Sequence, residues 1–251
     1  MKRFGLIGYP LGHSFSAKFF TEKFSREGID ASYSLYELPD IGNLMELLAE
    51  YPDIEGLNVT IPYKEQVLPY LTDITPEAKA IGAVNVIKIS HDPDGNVTAL
   101  KGFNTDAPAF ARTVAPMLPL EAVSALVFGT GGASKAICAG LDALGVSYTP
   151  VSRTAASGRL TYDDLTEEVM AANRLLVNCT PLGMSPNKDT CPPIPYNFVS
   201  REHIAYDLVY NPEDTLFMQK CAAQGAAVKN GLDMLHLQAL LAWKIWNNPN
   251  D

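Results

Sequence analysis

Residues 123–134 read VSALVFGTGGAS, an apolar run that passes directly into a glycine-rich turn. The apolar run has the length of a buried strand, and residues 133–144 after it have the pattern of a helix. Glycines between a strand and a helix allow the backbone to approach a pyrophosphate, which the amides and the dipole of the helix N-terminus then hold. The sequence therefore predicts a dinucleotide-binding turn, and its candidate residues are Gly129, Gly131, Gly132 and Ala133.

Apolar runs alternate with amphipathic segments along most of the 251 residues, which predicts an α/β fold with largely parallel sheets. In the first half we expect strands at 4–7, 32–37 and 56–59, helices at 16–27, 41–50 and 105–114, and a hairpin of 83–89 with 97–101. The proline-bearing residues 116–119 are expected to link two units. Beyond the glycine turn we expect strands at 147–151, 175–178 and 204–208, a loop at 184–195 and a helix from 232. That last helix carries an apolar stripe of Leu235, Ala239, Trp243 and Trp246.

The composition argues against several classes of protein. Apolar residues make up 47% and charged residues 19%, as in an ordinary globular protein, and no run of about eighteen apolar residues predicts a membrane span. The formal charge of −9 opposes nucleic-acid binding, which needs a basic footprint. The cysteines form no Cys-x-x-Cys pair, which favours reduced thiols in a cytoplasmic protein and no structural metal.

The residues after the second strand of this half discriminate between cofactors. A NAD enzyme usually carries an acidic residue about twenty residues after the glycine turn, where it binds the ribose 2′-hydroxyl. This chain has Ser152, Arg153 and Thr154 there, without an acid. A guanidinium group binds a 2′-phosphate and stacks on adenine, whereas a carboxylate repels the phosphate. The sequence therefore predicts NADP, and the alternative is that Arg153 is a solvated surface residue.

Two polar segments end in ionisable side chains that suit proton transfer. Residues 58–64 read NVTIPYK, and residues 102–106 read GFNTD. If Lys64 and Asp106 come together, they make a proton-transfer and orienting pair for an alcohol or a carbonyl. Beside a nicotinamide site, such a pair indicates alcohol–ketone redox chemistry. The alternatives are a solvated lysine and an aspartate favoured only by its place at a helix start.

A pair of serines precedes the first predicted helix, where residues 12–16 read GHSFS. Ser14 or Ser16 can cap that helix, and two hydroxyls beside free helix amides are equally a receptor for a carboxylate. His13 has no partner in the sequence, so we expect a structural or loop-exposed residue.

These motifs, in their order and spacing, resemble the shikimate dehydrogenase family, and the resemblance extends from Gly8 to Gln238. Residues 82–85 (GAVN), 178–184 (NCTPLGM), 206–210 (YDLVY) and 231–234 (GLDM) also match. The resemblance implies substrate contacts from Ser14, Ser16, Asn58, Thr60, Asn85, Tyr210 and Gln238. It implies cofactor contacts from the glycine turn, Ser152, Arg153, Thr154, Thr180, Leu208 and Gly231, and catalysis by Lys64 and Asp106.

The activity implied by this resemblance is the reversible, NADPH-dependent reduction of 3-dehydroshikimate to shikimate, a step towards chorismate and the aromatic amino acids, without a metal. The implied domains are an α/β substrate-binding domain, residues 1–106 with 233–251, and a Rossmann-like, doubly wound NADP-binding domain, residues 107–232. Lys64 would take the hydroxyl proton, as a neutral amine or as a charged shuttle, and Asp106 would hold the hydroxyl. We expect a cytoplasmic monomer or homodimer with a small-molecule substrate and no nucleic-acid or membrane partner.

Two other functions stay open. The first is a quinate/shikimate dehydrogenase with broader substrate and cofactor use, although Arg153 without a nearby acid argues against a preference for NAD. The second is a non-catalytic nucleotide sensor, which would have no need to retain both Lys64 and Asp106. An assay of shikimate oxidation with each cofactor separates these possibilities.

Overall fold

The computed structural model describes residues 1–12 and 14–249, so the prediction for His13 falls outside the described residues. The chain divides into two compact units. The first comprises Met1–Thr105 together with the segment that begins at Ala239, and the second comprises Asp106–Gln238. Within the described part of the chain, no helix is long and apolar enough to cross a membrane.

The first unit is built on a mixed sheet of strand order β2-β1-β3-β5-β6-β4. Its elements are β1 (Lys2–Gly8), α1 (Phe15–Glu27), β2 (Ala31–Glu37), α2 (Leu44–Glu50), β3 (Ile54–Val59), α3 (Tyr63–Gln66), β4 (Asp73–Ile74), α4 (Pro76–Ile81), β5 (Val86–His91) and β6 (Val97–Phe103). β1 runs parallel to β2 and β3, whereas β5 runs antiparallel to β3 and β6. The turn between β5 and β6 is held by the Asp92 carboxylate, which accepts the amides of Asp94 and Asn96 at 3.0 and 2.8 Å. The predicted hairpin is confirmed, and it makes this sheet less parallel than we expected.

The last helix, α9 (Leu232–Asn247), supplies core residues to the first unit from Ala239 onward. Ala239 and Trp246 are buried in one cluster with Phe4, and the Trp246 ring stacks on Phe4 at a centroid distance of 4.8 Å. A Cβ on Gly56 would collide with the same indole, so glycine is required where β3 passes under it. The predicted apolar stripe is confirmed over this part of the helix.

The second unit holds a fully parallel sheet of strand order β12-β11-β10-β7-β8-β9. Its elements are α5 (Asp106–Val114), β7 (Ser124–Phe128), α6 (Gly132–Ala143), β8 (Ser147–Ser152), β9 (Leu160–Thr161), α7 (Glu167–Ala172), β10 (Leu175–Asn178), β11 (Ile204–Asp207), α8 (Leu216–Ala223) and β12 (Ala227–Lys229). This is the order of a doubly wound dinucleotide-binding sheet. The order reverses between β7 and β10, and such sheets bind ligands at the carboxyl ends of the strands at that point.

The proline-bearing residues 116–119 lie inside the second unit, so the prediction of a linker there is wrong. The chain enters the second unit at Asp106, and α5 packs on α6. Gly140 makes that packing close, because a Cβ there would lie 2.9 Å from Phe110 Cδ1 and 3.0 Å from the Ala107 carbonyl oxygen. Helix α5, which precedes the prolines in the chain, is therefore already packed closely within the second unit.

Candidate active site

Ser16, Tyr33 and Asn58 form a buried row of hydrogen-bonded polar side chains in the first unit, which we call the polar line. Asn58 is only 5% exposed, and its Oδ1 accepts a hydrogen bond from the Tyr33 hydroxyl at 2.7 Å. The Ser16 side chain also shares a hydrogen bond with Tyr33. Burial raises the pKa of Tyr33, so its hydroxyl stays protonated and remains a donor. Two predicted substrate residues, Ser16 and Asn58, are therefore connected through a tyrosine that the sequence analysis did not single out.

Asn85, just before β5, clamps the chain that leads to Asp106. Its Oδ1 accepts the Thr105 amide at 2.7 Å, and its Nδ2 donates to Thr105 Oγ1 at 2.9 Å. Asn85 is 3% exposed and Thr105 is 2% exposed, so water does not compete for these bonds. The Asn85 carbonyl oxygen also accepts from Asn58 Nδ2 at 3.4 Å. The amide that we expected to bind substrate is thus also a structural clamp.

Thr60 and Lys64 follow the carboxyl end of β3, where α/β sheets place ligands. The Thr60 amide donates to the Ile7 carbonyl oxygen at 3.0 Å, which continues the pairing of β3 with β1 beyond the strand. Lys64 lies in the short α3 and is half-buried, and its carbonyl oxygen accepts the Val84 amide at 2.8 Å. The backbone around this lysine is therefore held on both sides.

Asp106 is the first residue of α5 and therefore opens the second unit. It is 5% exposed, so it is far less accessible than an aspartate that serves only to start a helix at the surface. The Asn85 clamp fixes Thr105, the residue immediately before it.

Ser14 occupies the N-cap position of α1 with extended backbone angles, φ −93° and ψ 125°. Among the described residues, its hydroxyl makes no capping hydrogen bond to the helix. The alternative that Ser14 serves as a side-chain cap is therefore not supported. The Ser14 hydroxyl accepts no hydrogen bond from the described first-turn amides of α1.

The glycine turn lies where the strand order of the second sheet reverses. Gly129 has φ +109°, a conformation that favours glycine, and a Cβ on it would lie 3.3 Å from the Thr180 methyl. The loops after β7 and β10 therefore approach each other closely. Gly131 is the exposed N-cap of α6 and has open space where a Cβ would stand, and Gly132 and Ala133 begin the helix. The turn leaves the helix N-terminus accessible to an anion.

The turn after β8 exposes a positive charge. The Ser152 hydroxyl donates to the Thr154 carbonyl oxygen at 2.5 Å, which folds the turn and leaves Arg153 on its surface. Burial raises the pKa of Tyr162, and the positive charge of nearby Arg153 partly offsets that increase. Tyr162 in turn stacks on Phe128, the last residue of β7, at a centroid distance of 6.1 Å. The charge of Arg153 therefore acts on a residue that packs against the end of β7, the strand that leads into the glycine turn.

A second polar network lies under the ends of β10 and β11, and the sequence analysis missed it. Asn178 and Asp207 are fully buried, and Asn178 Nδ2 donates to Asp207 Oδ1 at 2.9 Å. Asn178 Oδ1 accepts both the amide and the hydroxyl of Thr180, at 3.0 and 2.6 Å. The sequence signal for this network is the amide of Asn178 and the carboxylate of Asp207 at the ends of two apolar strands. An unpaired polar group buried there would be costly, so the two should pair.

The remaining predicted residues also belong to the second unit. The Leu208 amide donates to the Asn178 carbonyl oxygen at 3.0 Å, and a Cβ on Gly231 would collide with the Leu208 carbonyl group. Tyr210 is half-buried, and burial raises its pKa. Gln238 is 8% exposed in α9, and its Nε2 donates to the Leu235 carbonyl oxygen at 2.9 Å. Leu208 and Gly231 are thus brought together with the network under Thr180.

Comparison with known proteins assigns a family to this arrangement. Residues 6–87 match the family model of the shikimate dehydrogenase substrate binding domain. The shikimate dehydrogenase (NADP(+)) of Oleidesulfovibrio alaskensis is 36% identical, with 97% of this chain and 88% of that protein covered.

Solved structures agree with the sequence relatives. The shikimate 5-dehydrogenase of Thermus thermophilus, in complex with NADP(H) and shikimate, matches with a TM-score of 0.84 and 33% identity over 98% of this chain and 94% of that chain. The quinate dehydrogenase of Corynebacterium glutamicum, in complex with NAD, matches with a TM-score of 0.82 and 26% identity over 98% and 93%. Because identity above 30% extends over nearly the whole chain, this protein belongs to the shikimate dehydrogenase family.

Proposed function

We propose that this protein catalyses the reversible reduction of 3-dehydroshikimate to shikimate with NADPH. The observation that carries the proposal is membership of the shikimate dehydrogenase family. We assign catalysis to Lys64 and Asp106. The proposal includes a cytoplasmic monomer or homodimer, and the four cysteines, which are all free thiols, are compatible with that location.

The second unit fits a nicotinamide dinucleotide phosphate on several grounds. Gly129 and Gly131 leave room for a pyrophosphate against the N-terminus of α6, and the exposed Arg153 is available for a 2′-phosphate. We assign Gly132, Ala133, Ser152 and Thr154 to the same half of the cofactor, and Thr180, Leu208 and Gly231 to the nicotinamide half. When bound, the cofactor accepts hydride from the substrate carbon or returns it.

The protein supplies proton transfer and orientation. In the oxidising direction, Lys64 accepts the proton of the substrate hydroxyl while hydride leaves the carbon that bears it. Asp106 holds that hydroxyl in place and orients Lys64. In the reducing direction, Lys64 returns the proton to the carbonyl oxygen. Chemistry of this kind needs no metal, and no group of three His, Cys, Asp or Glu side chains among the described residues is arranged to hold one.

We assign the substrate carboxylate to Ser14 and Ser16 at the start of α1. Hydroxyl groups beside free helix amides stabilise an anion, which matters because the net charge of −9 repels one. The remaining side chains assigned to the substrate hydroxyl groups are Asn58, Thr60, Asn85, Tyr210 and Gln238.

A quinate/shikimate dehydrogenase is the second candidate, because a quinate dehydrogenase with bound NAD has the same fold at 26% identity. The two are separated by following the nicotinamide absorbance with shikimate or quinate, each with NADP or NAD. We expect the highest kcat/KM for shikimate with NADP. A higher kcat/KM for quinate or for NAD would overturn the proposal in favour of the second candidate, and no turnover with any pair would favour a non-catalytic relative.

A further inference from the structure

The buried carboxylate of Asp207 ends β11 and is 0% exposed. Its two oxygens accept three hydrogen bonds. Oδ1 accepts Asn178 Nδ2 at 2.9 Å and the Val209 amide at 3.0 Å, and Oδ2 accepts the Thr215 hydroxyl at 2.6 Å. All three partners are donors, so the carboxylate needs no proton of its own. Its ionised form therefore matches this set of partners.

Each of these partners controls a different segment. Asn178 holds the amide and the hydroxyl of Thr180, and so controls the loop after β10. The Val209 amide fixes the chain directly after Leu208. Thr215 is the N-cap of α8, because its Oγ1 accepts the Met218 amide at 3.3 Å. One carboxylate therefore sets the geometry of two loops and of a helix start.

We propose that Asp207 is a positioning residue for the dinucleotide, which holds Thr180 and Leu208 in the conformation that the nicotinamide half requires. The inference rests on the proposed function in its assignment of Thr180 and Leu208 to the cofactor. Asp207 itself lies below both loops, fully buried, and acts through Asn178 and Val209 rather than by touching the cofactor.

The position of the network supports a role in cofactor binding rather than in stability alone. The methyl group of Thr180 packs where a Cβ on Gly129 would come within 3.3 Å, so a shift of the Thr180 loop changes the space beside the pyrophosphate turn. Gly231, the residue before α9, lies closer still to the Leu208 carbonyl group, because a Cβ on it would collide with that group. Release of either loop from Asp207 therefore alters the walls of the proposed cofactor site on two sides.

The test uses Asp207→Ala and Thr215→Val, with Asp189→Ala as a control at an exposed carboxylate. We expect Asp207→Ala to raise the Kd for NADP, measured by calorimetry without substrate, by about tenfold or more. Thr215→Val removes one hydrogen bond to the carboxylate together with the side-chain cap of α8, and it should raise the Kd by a smaller factor. At saturating NADP, the KM for shikimate should stay close to that of the unmodified protein.

Two further readouts keep the test decisive. In the unmodified protein, hydrogen exchange at the amides of Thr180 and Val209 should be slow for loop residues, and it should accelerate in Thr215→Val. Rapid exchange in the unmodified protein, or an unchanged Kd for NADP in folded Asp207→Ala, would overturn the inference. Equal losses for NADP and shikimate would also overturn it, because they would indicate a general loss of structure. An unmodified protein that binds NADP but does not oxidise shikimate would refute the proposed activity and leave this test intact.

Discussion

Trp246 donates a hydrogen bond from its indole Nε1 to the Ile87 carbonyl oxygen at 3.0 Å, which joins the last helix to a central strand across 159 residues of sequence. The same indole stacks on Phe4 and is 4% exposed. The fold of the first unit therefore depends on a residue close to the C-terminus.

We expect Trp246→Ala to lower the free energy of unfolding by about 3–5 kcal/mol, as for other buried tryptophans. Trp246→Phe retains most of the apolar contact and should cost about 1 kcal/mol for the lost hydrogen bond plus the change in shape. Urea unfolding monitored by circular dichroism measures both, with Leu240→Ala as the control because Leu240 is 40% exposed. Equal stability of Trp246→Ala and the control would show that α9 does not stabilise the first unit.

We expect Lys64→Ala to lower kcat by about 10²–10⁴-fold, the usual contribution of a general acid or base. Steady-state kinetics with shikimate and NADP measures the effect, and the exposed Lys79→Ala is the control for loss of a lysine charge. Asp106→Asn should lower kcat as well, and the double variant should lose less than the sum of the two single losses. A near-normal kcat with only a raised KM would mean that Lys64 merely binds substrate.

Arg153→Ala should raise the KM for NADP and leave the KM for NAD nearly unchanged, because only NADP carries the 2′-phosphate. Initial rates with both cofactors test this, with Arg201→Ala as the control, since that side chain is 88% exposed. Similar losses with NADP and NAD would indicate adenine stacking or a structural role for Arg153 instead.

The double variant Ser14→Ala with Ser16→Ala should raise the KM for shikimate, because it removes both proposed hydroxyl partners of the carboxylate. The effect should shrink for a substrate analogue that lacks the carboxylate. Ser16→Ala also deprives Tyr33 of a hydrogen bond, so Tyr33→Phe is the matched control for that loss. If Tyr33→Phe alone reproduces the whole increase in KM, the serines act through the polar line to Asn58 and not on the carboxylate.

The stability of the second unit should depend on pH through Asp207. Burial raises the pKa of this carboxyl to about 6, whereas an unfolded aspartate has a pKa of about 3.9. The folded state binds the proton more tightly, so the contribution is fully present below about pH 4 and is lost as the pH rises through about 6. Over that range it amounts to roughly 2–3 kcal/mol.

Asp207→Asn removes this titration, so the variant should gain stability relative to the unmodified protein as the pH rises from about 4 to about 7, a range that spans the two pKa values above. Denaturant unfolding at several pH values measures the difference. The nearby Cys179, Cys221 and Tyr196 have raised pKa values and stay neutral in this range. The opposite trend would show that the three hydrogen bonds outweigh burial.

Sequence patterns predicted elements such as α1 and β1, but they did not predict α7 or the eight-residue α8. β10 is predicted with its observed bounds, Leu175–Asn178, because a short apolar run there ends in an asparagine. The short elements escaped, since β4 and β9 have only two residues each and therefore no period to detect. Helix α3 also escaped, because its four residues follow Pro62 and read as a turn.

The candidate site shows a similar division. Residues within recognisable motifs, such as Lys64 and Gly129, could be selected from the sequence. The partners that hold them could not, because Tyr33 reaches Asn58 across 25 residues and Asn178 reaches Asp207 across 29. Such pairings depend on strand order, and strand order is set by packing of the whole sheet rather than by local pattern.

Gly140 carries no functional group, yet it governs how deeply α5 settles against α6, since a methyl group there would press on Phe110 and on the Ala107 carbonyl oxygen. Asp106, the proposed catalytic carboxylate, is the first residue of α5, and displacing a catalytic group by about 1 Å can cost about a hundredfold in rate. The position of the Asp106 carboxylate therefore depends on the absence of a side chain at Gly140 of α6. Transplanting this helix into another scaffold would require carrying over that glycine as well as the carboxylate.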